Sequence, residues 1–156
     1  MKLLVLKTQE EFEAEIVAVE AKDYDQIKKS KQFVFDWTKE RSNHVFKIVE
    51  VSEKTNREIH GLISIKDQAD ELRIHINLIE ISNDNKSPYK KVDRVAGCLL
   101  SFAVQIAFEK GYSGFTSLIP KTQLIPLYVK KYGFAQYGMQ LAIEGREAIQ
   151  LIQTYQ

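Results

Sequence analysis

The chain has 156 residues, 44% of them hydrophobic, with a formal net charge of +1 and a single cysteine. That is apolar mass for one domain over residues 1–156; the balanced charge gives no support to general polyanion binding, and one thiol excludes an intramolecular disulfide. The longest apolar run, Val95–Phe108, is too short for a membrane span and carries Ser101 and Gln105, and Met1–Lys7 lacks the features of a secretory leader, so a cytoplasmic protein is expected.

In chain order, Leu3–Leu6 is apolar and Phe12–Ile16 alternates before Val17–Val19. This predicts two strands joined at Thr8–Glu10; Thr8 with Glu11 also fits a capping box, which leaves a helix as the alternative. Asp23 is expected to cap a helix through Tyr24, Ile27 and Lys31. Phe33-Val34-Phe35-Asp36-Trp37 follows as an aromatic cluster, with core packing expected of Phe33 and Phe35. His44–Val51 and Ile59–Ile65 read as consecutive antiparallel strands, and Gln68–Glu71 turns the chain into a strand over Leu72–Ile81. There Ile74, Ile76 and Leu78 alternate with Arg73, His75 and Asn77 until the phase breaks at Ile79-Glu80-Ile81-Ser82, which predicts a bulge. Ser82–Tyr89 is a long polar loop.

From Lys90 to Gly111 the apolar positions recur at helical spacing around a wide face, so a largely buried helix is expected. Its start is small and basic (Lys90, Lys91, Arg94, Ala96, Gly97), and free backbone N–H groups at the positive end of the helix dipole suit a phosphate or pyrophosphate. Gly111 fits the left-handed residue that ends a helix, and Cys98, on the apolar face, reads as a buried thiol. Ser113–Ile119 is then expected as a strand, Thr122 as an N-cap with Pro126 inside the helix that follows, Gly138–Ile143 as a strand and Arg146–Tyr155 as an amphipathic helix. Tyr128 and Tyr132, four apart, fit a packed stripe. The three histidines lack ligand spacing, so no metal is expected, and the lysine runs at 28–31 and 130–131 read as solvated faces.

The segment from Leu72 to Gly133-Phe134 resembles the acyl-coenzyme A core of the GNAT superfamily of N-acetyltransferases. That family opens its helix with Gln/Arg-x-x-Gly-x-Gly/Ala, then a Leu pair and a closing Gly. Leu99-Leu100 and Gly111 set the register, which lays the signature on Lys91-Val92-Asp93-Arg94-Val95-Ala96, with Lys91 in place of Gln or Arg and Arg94 in place of the first Gly. The resemblance implies an α/β fold with a mixed, splayed central sheet and flanking helices. It implies acetyl-CoA as co-substrate, its pyrophosphate on Lys91, Val92, Asp93, Arg94, Val95, Ala96 and Gly97, its pantetheine arm on the backbone of Ile79 and Ile81, and Thr122 nearby. Relatives place a carboxylate in the strand before the helix to deprotonate the amine, and Glu80 is the only one there. The Phe33–Trp37 cluster falls near the family's acceptor wall. Many relatives also carry a Tyr four residues before the terminal Gly-Phe as the acid for the departing thiolate. That position is Val129 here, and one residue is about 100° of helical rotation, so only a local bulge, for which Pro126 offers a cause, brings Tyr128 into the role.

The activity so implied is direct transfer of acetyl to a primary amine of a small molecule or peptide, without nucleic acid or membrane, and with room for a homodimer. Arg94 and Val129 favour the competing reading, a catalytically degenerate CoA-binding or ligand-sensing module. A third reading is an interaction domain that binds no nucleotide.

Overall fold

The computed structural model describes residues 1–156 and is a mixed α/β structure. Its strands are β1 (Lys2–Val5), β2 (Glu10–Ala18), β3 (His44–Glu50), β4 (Gly61–Gln68), β5 (Arg73–Ile81), β6 (Val92–Asp93), β7 (Thr116–Leu118), β8 (Ala135–Tyr137) and β9 (Gln140–Ile143); the helices are α1 (Asp23–Ser30), α2 (Val95–Glu109), α3 (Ile125–Leu127) and α4 (Gly145–Tyr155). The strands form a nine-stranded mixed sheet in the order β6-β1-β2-β3-β4-β5-β7-β9-β8. No helix is long and apolar enough to cross a membrane. The backbone divides into two compact units, Met1–Ser64 with Leu78–Leu99, and Ile65–Asn77 with Leu100–Gln156.

In the first unit, alternation over Glu10–Ala18 prevails over the capping-box alternative. β1 and β2 pair antiparallel with Leu3 opposite Phe12, and Gln9 closes the turn between them at a φ of 62°. β2 continues onto β3, with Ile16 opposite Ile48. Asp23 is the first residue of α1 rather than its cap: its carboxylate accepts the Glu20 N–H at 2.8 Å and meets Lys47 at 3.0 Å. α1 buries Tyr24 and Ile27 in a cluster with Trp37, Val45, Val49, Ile59 and Leu62, against which Phe33 packs. Phe35, expected in the core, is 43% exposed, because the chain turns outward after Phe33 and re-enters only with Trp37.

The apolar periodicity of α2 holds, with Cys98, Leu99, Leu100, Ala103, Val104 and Ala107 buried, but the helix begins at Val95 and not at Lys90. The reason is non-local. Val92 and Asp93 are taken into the sheet by β1, opposite Val5 and Leu4, and the chain enters the helix only after a left-handed Arg94 at φ 79°. Close approach also fixes the site from below: a Cβ on Gly61 would lie 2.8 Å from Val95 Cγ1 and 2.9 Å from Leu99 Cδ1. At the other end Gly111, at φ 81°, ends the helix as its position predicts.

In the second unit, β5 and β7 run parallel over Ile74–Ile76 and Thr116–Leu118, and β7 pairs antiparallel with β9, Thr116 opposite Ile143. The strand expected over Gly138–Ile143 is the second arm of a hairpin, β8 and β9, turning at Gly138. α4 buries Ala148, Leu151 and Tyr155.

Candidate active site

The start of α2 is the first part of the site. Cys98 donates its N–H to the Arg94 carbonyl at 3.0 Å, which opens the helix. The N–H groups of Val95, Ala96 and Gly97 therefore lie ahead of the first intrahelical bond, at the positive end of the dipole. Arg94 stands in a conformation that glycine adopts at least cost, at the place where the resembling family carries its first glycine. Its Nε donates to the Lys2 carbonyl at 3.2 Å, so this side chain reaches back along β1. Val92, expected to present its N–H to the anion, spends it on Asn85 Oδ1 at 3.0 Å. Lys90 pairs with Asp93 at 3.2 Å and Lys91 with Asp84 at 3.5 Å. Both lysines precede the helix instead of forming its first turn.

The second part is Glu80. Burial along β5 keeps one phase through Ile74, Ile76 and Glu80. Glu80 is thus a carboxylate at a core-facing position; Ile79 and Ile81 lie on the opposite face, beyond the stretch of β5 that pairs with β7. Oε2 of Glu80 accepts the Val34 N–H at 2.7 Å and faces Lys86 Nζ at 3.4 Å, while Oε1 accepts the Phe35 N–H at 3.2 Å and the Trp37 indole N–H at 2.8 Å. A buried carboxylate so supplied is held by the chain that it holds. The 33–37 segment consequently presents Val34, 74% exposed, from a backbone pinned at consecutive N–H groups.

The loop between Glu80 and α2 is ordered by hydrogen bonds that sequence reasoning missed. A 3₁₀ turn spans Asn83–Asn85. Asn85 is buried and uses its whole amide: Oδ1 takes the Val92 N–H, and Nδ2 approaches Ser82 Oγ at 2.9 Å and His60 Nδ1 at 3.1 Å. The polar run 82–89 carried no signal for this, since its composition is that of a solvated turn and its partners are remote in sequence.

Tyr128, the sequence candidate for the acid, lies in the second unit. Thr122 does not cap a helix: it opens a 3₁₀ turn over Thr122–Leu124 without a side-chain cap, and Pro126 falls in the first turn of α3, where no donor is needed. α3 then passes into a π-helical turn over Tyr128–Tyr132, sealed by Phe134 N–H to the Tyr128 carbonyl at 3.2 Å and ended by Gly133 at φ 84°. A π turn inserts one residue into the helical repeat, and Tyr128 stands one residue before the position that the resemblance marks for the acid. The Tyr128 ring meets Phe134 edge-on with centroids 5.7 Å apart and Tyr132 at 5.9 Å, while its hydroxyl has no hydrogen-bond partner in the chain. Burial pushes the phenol up, so it stays protonated at neutral pH.

His75 packs within the second unit. His75 Nδ1 lies 2.8 Å from Ser117 Oγ, which also accepts from Arg73 at 3.1 Å. No group of three or more His, Cys, Asp and Glu side chains gathers to hold a metal.

No family model matches the sequence, and no curated protein matches it. Solved structures do. A chimera of the spermidine N-acetyltransferase SpeG from Vibrio cholerae aligns with a TM-score of 0.63 at 13% identity, over 87% of this chain and 98% of that one. The NatC complex bound to Gag peptide and CoA aligns at 0.58 and 12% identity, over 85% and 99%, and the KacTA–DNA complex at 0.57 and 9%, over 91% and 99%. At such identities the likeness speaks for architecture, and it extends over nearly the whole of each neighbour: this chain has the fold of the GNAT N-acetyltransferases.

Proposed function

We propose that the chain is a single acyltransferase domain that moves the acetyl group of acetyl-CoA directly to an amine. The observation that supports this reading is the left-handed Arg94 immediately before α2, at the position that the resemblance assigns to the family's first glycine. Three N–H groups at Val95, Ala96 and Gly97 would receive the pyrophosphate, with Lys91 beside them, and the backbone of Ile79 and Ile81 would hold the pantetheine arm. Bound acetyl-CoA supplies a thioester whose carbonyl carbon accepts the amine lone pair and whose sulfur leaves. The chain contributes proximity, backbone N–H groups for the developing oxyanion, and the Tyr128 hydroxyl as proton donor to the departing sulfur. For Glu80, the engagement of both oxygens favours positioning of the 33–37 acceptor wall over direct proton abstraction; the amine then loses its proton to water. SpeG and NatC, by their names, act on spermidine and bind a peptide, so polyamines and peptide N-termini are the first acceptors to try.

The engaged carboxylate also favours the alternative, a CoA-binding module without turnover. A thermal-shift scan with acetyl-CoA followed by thiol release with a panel of amines separates the two. Acetyl-CoA at 100 times its dissociation constant is expected to stabilise the protein by about 2.7 kcal/mol, and one of the amines to release thiol. Stabilisation without release from any amine selects the module; no stabilisation and no binding heat at millimolar ligand sinks the cofactor assignment.

A further inference from the structure

The residues Asn83, Asp84 and Asn85 hold two flanks of the site at once. Toward the 33–37 wall, the Asn83 N–H donates to the Gln32 carbonyl at 2.8 Å, Asn83 Nδ2 to the Lys31 carbonyl at 3.1 Å, and the Asp84 N–H to Gln32 Oε1 at 2.9 Å. Toward the anion turn, the Asp84 carbonyl accepts the Lys91 N–H at 2.9 Å and Asn85 Oδ1 accepts the Val92 N–H at 3.0 Å. Asn85 cannot shift without leaving buried polar groups unpaired, since its Nδ2 is bonded to His60 and Ser82. The turn is short, so displacement of Lys91 or Val92 is passed to Gln32 within a few bonds.

We propose that this turn is a strap coupling the two flanks: an anion that orders the start of α2 also orders the Gln32–Trp37 wall, with Gln32 and Asn85 as positioning residues. The inference rests on the coenzyme A reading above and deepens it, because it names the residues through which the phosphate turn and the wall are linked. The physical basis is entropic. An anion on the Val95–Gly97 N–H groups restrains the chain just before them, and the Val92 and Lys91 N–H bonds to Asn85 and Asp84 pass that restraint to the strap. The wall is therefore ordered at less cost, and by reciprocity an ordered wall tightens the turn.

The test reads binding and coupling separately. Coenzyme A binding is measured by calorimetry, and hydrogen exchange is followed at the Val34 and Phe35 amides with and without the ligand. Coenzyme A is expected to slow both amides by about fivefold or more. Gln32→Met removes the acceptor for Asp84 and should lose this slowing while still binding coenzyme A; Gln32→Glu keeps an accepting oxygen and should retain it. Asn83→Ala, which removes the Lys31 contact, should reduce the slowing and serves as the second variant if Gln32→Met does not fold. Amides of Ile16 and Ile48 in the β2–β3 ladder report whether each variant is folded. Coenzyme A binding without slowing in the parent overturns the coupling, as does slowing that persists in Gln32→Met or is lost equally in Gln32→Glu. Absence of binding heat in the parent removes the cofactor reading and the coupling with it.

Discussion

Glu80 and Tyr128 are both buried, and their polar ends are treated in opposite ways: the carboxylate is met by four donors, whereas the hydroxyl has no partner. A group with every lone pair engaged is part of the scaffold, since any new partner must displace an old one. A group whose hydroxyl is unspent is free to act on something that arrives. Sequence position singled out both for proton transfer, and only surroundings separate them. His60 is an intermediate case, with one ring nitrogen engaged by Asn85 and its ring 5.6 Å from Phe12.

The contrast breaks most visibly at Glu80. Glu80→Ala strands the Val34, Phe35 and Trp37 donors, and leaving such neutral donors unpaired predicts about 3 kcal/mol of destabilisation, at about 1 kcal/mol or more for each. Urea melts check it. A loss below about 1 kcal/mol would mean that the 33–37 segment is held by something else.

Tyr128→Phe is the opposite experiment. With an identified amine acceptor, kcat should fall by about 10²-fold or more, while stability stays within about 0.5 kcal/mol because no hydrogen bond is lost. An unchanged rate across neutral to alkaline pH removes Tyr128 from the chemistry. A stability loss as large as that of Glu80→Ala would show that the hydroxyl was engaged after all.

His60 sharpens the comparison with the smallest effect. Burial lowers its folded pKa below the ordinary value, against the opposing pull of the Glu58 and Glu50 carboxylates. A depressed histidine contributes stability that is present above its unfolded pKa of about 6.5 and is lost as pH falls through the lower folded value. Urea stability should therefore decline more steeply below about pH 6.5 in the parent than in His60→Gln. His75, also lowered by burial and then by Arg73 and Lys66, supplies the slope that remains. Identical slopes would show that His60 charges without strain on the Asn85 contact.

What was legible in the sequence was periodic or local. The wide apolar face of α2, its glycine stop and the alternation of β2 each follow from spacing within one segment, and together with the Gly-Phe terminus they carry the fold. What was hidden depends on remote partners. The start of α2 is set by pairing of Val92–Asp93 with β1, and the surroundings of Glu80 by donors 43 to 46 residues earlier. The π turn at Tyr128 lies between these cases, since Pro126 and the one-residue offset are visible in the sequence and the π turn itself is not.

The buried Cys98 has a practical bearing on how this protein can be assayed. It is the only cysteine in the chain, and desolvation pushes its thiol up to about 11. Near pH 8 only about a thousandth of it is thiolate, the form that reacts with disulfide reagents, and burial shields even that fraction. A colorimetric thiol reagent added to the folded protein should thus report coenzyme A alone. A slow background signal would time the opening of α2 from the sheet.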